Sequence, residues 1–331
     1  NKSIMVVHYD AIVVGLGGVG SFALRALAKA AGKTKVLGIE QYVTGGHLKG
    51  SSHGYTRIYR HAYFEHPSYV PWCSFSTKQF QELQEEQNVQ LIKEAGCIVV
   101  EAEEDDGSMP PMCKASYDAA QEHGIPVEYL DHETLRARFP QFSSKYKMVG
   151  VYEQSGGLVR PERTLTAAIA DAKTHGAEIK EETRVLSYEE VEMNGEVVVQ
   201  VQIQHKDESP VELTTKSLLI AGGGWAGSLL PGWADHAVPY RQLQGWLDVS
   251  TTSDPSLYGN AKCPAWIMVT PDWPIPMYGP PCDTEGDSEH KHWLKVGLHG
   301  RRVLIDDLSG NPTVATPAEI QEVQDAAWTI F

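Results

Sequence analysis

No apolar stretch of this chain approaches the roughly 18 residues that a membrane-crossing helix needs. The opening residues NKSIMVVH are too short and too polar for a secretory leader. Cysteine is scarce and scattered: Cys73, Cys97, Cys113, Cys263 and Cys282 form no CxxC pair. An odd, unclustered set argues against both a disulfide framework and a cysteine-built zinc site, and for reduced thiols in a reducing compartment. Basic side chains are also few, 28 against 43 acidic ones, for a formal charge of −15. Nucleic acid is therefore a poor partner, because phosphate binding needs a basic surface. The expectation is a cytoplasmic protein, or a peroxisomal one in a eukaryote, monomeric, with small-molecule partners and no membrane or metal. Internal repeats and low-complexity tracts are missing too. At 331 residues the chain exceeds one ordinary core, so one large or two interleaved domains are expected.

What the chain does have begins with YDAIVVGLGGVGSFALRALAKA. A buried strand, Ala11–Val14, runs into Gly15-Leu16-Gly17-Gly18-Val19-Gly20, and a helix over Ser21–Ala31 follows. In this setting GxGxxG has a physical meaning. Gly15 permits the tight turn, Gly17 lets backbone approach a pyrophosphate, and Gly20 lets the helix pack closely on the strand. The helix N-terminus offers free N–H groups and the positive end of its dipole. Glu40, closing the next strand, is placed to accept hydrogen bonds from a ribose 2′-OH. The motif alone leaves NAD and FAD open. Two later segments favour FAD: ETRVLSYEEV, offering Val185 backbone groups to an adenine, and LLIAGGGWAG, bringing Gly222 and Trp225 to the nucleotide. An NAD enzyme usually completes one continuous unit, whereas here about a hundred residues intervene.

Further along, Lys78–Gln87 reads as a polar helix, GCIVVE as a buried strand and Glu103–Met109 as an acidic loop. DHETLRARF is a short helix starting at Asp131 or His132. Pro161 opens a helix with Leu165, Ala168, Ile169 and Ala172 on one face. Ser217–Ala221 is a buried strand, and mostly strands follow. Thr316-Pro317-Ala318-Glu319 is a capping box before an apolar face of Ile320, Val323, Ala327 and Ile330. The last residues, AAWTIF, lack a polar tail, which gives the expectation of a chain cut inside its fold.

SSHGYTRIYRHAY, residues 51–63, concentrates cations in an acidic chain. Arg57 and Arg60, three apart, share one side if this is a helical turn, beside His53, Thr56 and His61. A guanidinium is suited to clamp a carboxylate in two-pronged fashion, and a cation near a flavin stabilises its anionic reduced ring. In HWLKVGLHG, strand alternation places Lys295 and His299 on the face of Trp293. Lys295 then reads as a buried functional cation or a snorkelling edge residue.

These stretches, with YVP, SGGLVRPE, AGGGWAGSLLP, PYRQ, MYG and LKVGLHG, occur in an order that resembles monomeric sarcosine oxidase. N-methyltryptophan oxidase and L-pipecolate oxidase share that order. The resemblance runs from about Tyr9 to His299. It implies an α/β fold in which a glutathione-reductase-like, Rossmann-type FAD-binding domain (8–85 and 149–230) is interleaved with an antiparallel-sheet substrate domain (86–148 and 231–331). It also implies that Gly15, Gly17, Gly20 and Glu40 hold the ADP part of FAD, and that His53, Thr56 and Arg57 lie against the flavin. Arg60 grips the substrate carboxylate, Tyr278 and His299 line the substrate cavity, and Lys295 activates dioxygen. Cys282 does not match the cysteine that links flavin covalently in the family. That cysteine, a second carboxylate-binding lysine and an SGHGFK-like motif all belong to a C-terminal segment beyond residue 331. Covalent attachment is thus left open, and loss of that segment is expected to expose Ile320, Val323 and Ile330.

The implied activity is oxidation of a secondary amino acid, such as sarcosine, N-methyltryptophan or pipecolate, to an imine, with dioxygen reduced to hydrogen peroxide. Rival readings are a dehydrogenase of the same fold with another electron acceptor, an NAD-dependent dehydrogenase, and an inactive fragment.

Overall fold

A computed structural model describes residues 7–331 except 33, 46, 287–288, 301–302, 306–307 and 309–313. Elements are numbered along the chain. A six-stranded sheet has the order β10-β11-β12-β1-β2-β9. At its centre β1 (Val7–Val14) runs parallel to β2 (Val36–Ile39) and to β12 (Val211–Ile220), and β2 runs parallel to β9 (Glu178–Lys180). The hairpin β10 (Thr183–Met193) and β11 (Glu196–His205) adds to it antiparallel. Strand alternation sends Val13 towards helices α1 (Gly18–Ala31) and α5 (Pro161–Thr174), where it meets Leu24, Ala28, Ile169 and Ala172. Ile12 and Val14 face the opposite way, against Leu37, Val201 and Leu213. The helix pair is also tied by Arg25, which is buried and donates to Asp171 at 2.7 Å and to Glu86 of α2 (Tyr69–Gln87) at 2.6 Å.

A second sheet of seven strands has the order β14-β17-β16-β15-β5-β7-β6. These are β5 (Cys97–Ala102), β6 (Glu128–Leu130), β7 (Met148–Glu153), β14 (Gln244–Asp248), β15 (Ala265–Thr270), β16 (Trp273–Gly279) and β17 (Trp293–Leu298). All neighbours are antiparallel except β15 and β5. Helices α3 (Pro111–Glu122) and α4 (His132–Arg138) cover it, the latter capped by Asp131, which accepts from Thr134 N–H at 2.8 Å. Strand β7 pairs with β5 along its whole length, across the 148/149 division drawn from the sequence. Between the sheets β3 (Arg57–Tyr59), β8 (Gly157–Val159) and β4 (Ile92–Glu94) form a third, in the order β3-β8-β4. A two-stranded ladder joins β13 (Tyr240–Arg241) to β18 (Val303–Leu304), and α6 is a single turn (Ala226–Leu229).

Three expectations are corrected. Helix α2 starts at Tyr69, not Lys78, because its first turns carry exposed Trp72 and Phe75 that hide the helical pattern. Ser217–Ala221 is no buried strand: Leu219 is 41% exposed, and Ile220 and Ala221 line the cleft described below. At the end of the chain α7 (Pro317–Trp328) forms with its capping box intact, but its apolar face is covered. Val323 and Ile330 are buried among Trp266, Met277 and Val296 of the seven-stranded sheet, and of the expected patch Ile320 alone is exposed.

Candidate active site

The glycine turn forms as a close approach of three backbones. Gly15 has φ +87°, and a Cβ there would lie 2.5 Å from the Ala221 carbonyl oxygen. At Gly20 a Cβ would lie 1.7 Å from the carbonyl oxygen of Gly15, so any side chain would force α1 away from β1. The first turn of α1 carries no acidic residue, which suits an anion. Glu40 is buried, and its carboxylate already accepts the N–H groups of Leu16 (2.9 Å) and Tyr42 (3.1 Å). It therefore ties the turn to the end of β2 and keeps only its remaining lone pairs for a ribose.

From this turn a cleft of about 1660 Å³ runs past Glu40, Val185, Gly222 and Trp225 to His53, Thr56, Arg57 and Tyr278. Gly17 lines it, whereas Gly20 stands behind it at the helix–strand contact. The far end is shaped by the turn Gly54–Thr56. Gly54 has φ +107° and Tyr55 φ +63°, two successive left-handed residues. This strained turn is gripped from both sides. Glu162, in the first turn of α5, accepts the N–H groups of Gly54 (2.5 Å) and Tyr55 (3.2 Å). Lys295 Nζ donates to the carbonyls of Gly54 (3.1 Å) and Thr56 (2.8 Å).

Lys295 is 1% exposed. Burial, and next the positive charge of Arg57, push its pKa down to about 6, against the opposing pull of Glu162. Of the two readings, a buried functional cation or a snorkelling edge residue, the structure shows burial, and above that pH the group is a neutral amine with two hydrogens for two carbonyls. Burial and then Arg57 also lower the pKa of His53, and burial lowers that of Arg57, whose Nη2 donates to the Ser51 carbonyl at 2.9 Å.

Arg60 does not share a side with Arg57. Residues 57–59 form a strand, not a helical turn, and residues three apart on a strand face opposite ways. Arg57 lines the large cleft, and Arg60 lines a separate cavity of about 320 Å³ with Glu65, Phe80, Tyr278 and His299. Tyr278 borders both chambers. It accepts from Gln244 Nε2 at 3.3 Å, and its ring lies edge-on to His299 at 6.4 Å. His299 is exposed, just past the end of β17 at the cavity rim. The Arg60 guanidinium is buried between the rings of Tyr63 (4.0 Å) and Phe64 (4.4 Å). Nη1 donates to the Ala62 carbonyl at 3.2 Å, and Nη2 donates to both oxygens of Glu65 at 2.9 and 2.7 Å. The fork expected to meet a substrate carboxylate thus holds one from its own chain.

Glu162, Gln244, Trp246 and Glu65 border these chambers and were not singled out from the sequence. Glu162 follows the helix-opening Pro161 and lies in the first turn of α5, and Glu65 carries no local signal. Cys282 is buried and its thiol is pushed up to about 12 by burial, so it is poorly suited to form a thiolate. Among the described residues no cluster of potential metal ligands occurs, and no helix is long and apolar enough to cross a membrane.

A glycine turn and acidic strand end on a mixed sheet, facing a mostly antiparallel sheet, are the arrangement of an FAD-dependent oxidoreductase. The family profile "FAD dependent oxidoreductase" (DAO) matches residues 10–274, and the chain belongs to that family. It is 34% identical over 242 residues to monomeric sarcosine oxidase of Streptomyces avermitilis, covering 72% of this chain and 58% of that protein. It is 28% identical to monomeric sarcosine oxidase of a Bacillus species, over 83% of this chain and 67% of that one. N-methyl-L-tryptophan oxidase of Yersinia pestis is 28% identical over 90% of this chain and 72% of its own length. The chain therefore spans between just over half and about three quarters of these relatives. In fold it is similar to NikD, an unusual amino acid oxidase essential for nikkomycin biosynthesis (TM-score 0.73, 15% identity, 98% of this chain and 78% of that one). It is likewise similar to glycine oxidase from Bacillus cereus (TM-score 0.68, 19% identity, 98% and 78%).

Proposed function

We propose that this chain forms the cofactor and substrate chambers of an FAD-dependent oxidase of secondary amino acids, sarcosine, N-methyltryptophan or pipecolate being the candidates. The observation that carries this reading is the pair of chambers meeting at Tyr278, one lined by Arg57 with Lys295 buried behind its Gly54–Thr56 turn, the other lined by Arg60. The residues fit FAD: Gly15 and Gly20 leave room where a Cβ would collide, and the cleft continues from them to Arg57. Gly15, Gly17, Glu40, Val185, Gly222 and Trp225 would hold the ADP part, and His53, Thr56 and Arg57 would border the ring. When bound, the flavin supplies two-electron oxidation of a C–H bond beside the amine and passes the electrons to dioxygen.

Arg60 binds the substrate carboxylate with the arm that Glu65 occupies, so the substrate must displace Glu65. Because Nη2 meets both Glu65 oxygens between flanking rings, the exchange is one carboxylate for another at little cost in desolvation. Tyr278 and His299 confine the amine end between the chambers. Lys295 Nζ, poised near pH 6, takes up a proton when negative charge develops in the cleft, where a buried ammonium beside nascent reduced oxygen is strongly stabilising. The balance is amine plus dioxygen to imine plus hydrogen peroxide. A peroxide assay of the flavin-loaded protein against sarcosine, N-methyltryptophan, pipecolate and proline tests it. Peroxide formed with one of these supports the reading, and electrons delivered to a dye with no peroxide refute the oxidase.

A further inference from the structure

Glu153, the last residue of β7, is 2% exposed and lines neither chamber. Its carboxylate is fully engaged. Oε1 accepts from His61 Nδ1 at 2.5 Å and from Ser155 Oγ at 2.7 Å, and Oε2 accepts the backbone N–H groups of His61 and Ala62, each at 2.9 Å. Burial opposes its charge, but these hydrogen bonds, first that of the His61 ring, hold its carboxyl below the ordinary range. Both oxygens are saturated, so Glu153 is free neither to shuttle a proton nor to touch a substrate. Its partners are the two residues that follow Arg60.

The consequence lies at Ala62. Its N–H is fixed by Glu153, and its carbonyl accepts both Arg60 Nη1 at 3.2 Å and Oγ of the buried Ser116, on α3, at 3.0 Å. The His61 ring, held at Nδ1 by the carboxylate, meets Thr77 Oγ1 of α2 with Nε2 at 3.1 Å. Residues 61 and 62 are thereby anchored to β7, α2 and α3 together. The Ala62 carbonyl, a backbone acceptor of the Arg60 guanidinium, is set by this anchor, which leaves Nη2 for a carboxylate.

We infer that Glu153 is a positioning residue for the carboxylate grip: through His61 and Ala62 it aims one arm of Arg60 so that the other faces the substrate. This rests on the reading of Arg60 as the carboxylate-binding residue. Replacing Glu153 by Gln keeps the volume but removes the charge and turns one of its two acceptor positions into a donor, which weakens the hold on the 61–62 peptide. A shift of a guanidinium by a fraction of an ångström weakens a two-pronged contact without removing its charge.

The test uses flavin-loaded protein and propionate as a probe with a carboxylate and no amine, its Kd read from the flavin absorbance. Glu153→Gln is expected to raise that Kd about tenfold, about 1.4 kcal/mol, and to raise the KM for an N-methyl amino acid in parallel. The maximal rate should stay within about threefold, and turnover of a secondary amine without a carboxylate should change by no more than that. Arg60→Ala is measured alongside. If it leaves propionate binding intact, the reading of Arg60 fails; if it abolishes binding while Glu153→Gln leaves Kd unchanged, only the positioning role is overturned. A maximal rate falling as much as the affinity also overturns it, since that is general damage. Should Glu153→Gln not hold flavin, Ser116→Ala decides: loss of its bond to Ala62 should raise the propionate Kd about threefold, and an unchanged Kd refutes the inference.

Discussion

Lys295→Met is expected to stabilise the protein at neutral pH while impairing its chemistry. Folded Lys295 gives up its proton near pH 6, whereas in the unfolded chain it keeps it to its ordinary value of 10.5. Between those values the unfolded chain binds more protons, so this residue makes stability rise with pH. At pH 7.5 the three units separating the medium from 10.5 correspond to about 4 kcal/mol of penalty, relative to a side chain neutral in both states. Methionine removes that penalty and fills a similar volume. It also abandons the carbonyls of Gly54 and Thr56, at about 1 kcal/mol each. The net expectation is about 2 kcal/mol in favour of the variant at pH 7.5, rising towards pH 6. The advantage vanishes near pH 9, where the remaining penalty equals the lost hydrogen bonds, and reverses above it.

Urea unfolding of both proteins at pH 6, 7.5 and 9.5, at matched flavin saturation, gives these differences directly. A variant less stable than the parent at pH 7.5, or a difference that does not depend on pH, would show that Lys295 keeps its proton in the fold. A buried lysine that costs stability at working pH needs a reason in the chemistry, and the cleft beside Arg57 is where negative charge is expected to develop.

Other consequences are open to measurement. In rapid-mixing experiments Lys295→Met should slow reoxidation by dioxygen at least tenfold more than it slows reduction by substrate, and equal slowing would make the residue structural. Arg60→Lys retains charge but loses the fork, so the KM of the best substrate should rise about tenfold; an unchanged KM removes Arg60 from the site. Gly20→Ala places a Cβ 1.7 Å from the Gly15 carbonyl and should abolish flavin retention on gel filtration, and a yellow, saturated variant would contradict the close approach. Glu65→Gln weakens the resident partner of Arg60 and should lower the propionate Kd several-fold, whereas weaker binding would mean that Glu65 organises the cavity instead of competing for it.

How far the sequence disclosed this site depends on how local each feature is. The glycine turn is legible because strand, turn and helix lie within about twenty residues, and each glycine answers a steric demand that backbone geometry imposes. The capping box at Thr316 and Glu319 is legible for the same reason, and it forms as read. Arg57 and Arg60 are legible as residue types but not as an arrangement. The intervening Ile58 and Tyr59 favour a strand, and β8, a hundred residues away, turns that preference into pairing. Glu65, Glu153 and Glu162 are three carboxylates among many in an acidic chain. Their roles depend on which backbone N–H groups or guanidinium the fold brings to them, and nothing in the residues beside them marks that out. The misjudged end of the chain has a like cause. An apolar face on α7 is visible in the sequence, but the surface that covers it is a sheet assembled from β5, β7 and β14–β17.

Strand β3 explains why one short basic stretch serves two purposes. Strand alternation divides its cations between chambers: Arg57 enters the large cleft and Arg60, just beyond Tyr59, enters the smaller one, while Ile58 and Tyr278 border both. His53 and Arg57 line the large cleft, with Lys295 buried behind the Gly54–Thr56 turn, and the Glu162 carboxylate near them is turned to the backbone of Gly54 and Tyr55. Burial, and next the positive charge of Arg57, lowers the pKa of His53 and Lys295, and that Arg57 charge makes this region of a chain with charge −15 receptive to an anion. In the small cavity the arrangement is the reverse, because Arg60 is already neutralised by Glu65 and gains nothing from charge as such. Selection there must come from geometry, from how well an incoming carboxylate matches the fork and the flanking rings. Hence substitutions around Arg57 and Lys295 should act on electron transfer and pH dependence, and those that hold Arg60 should act on which carboxylate is bound.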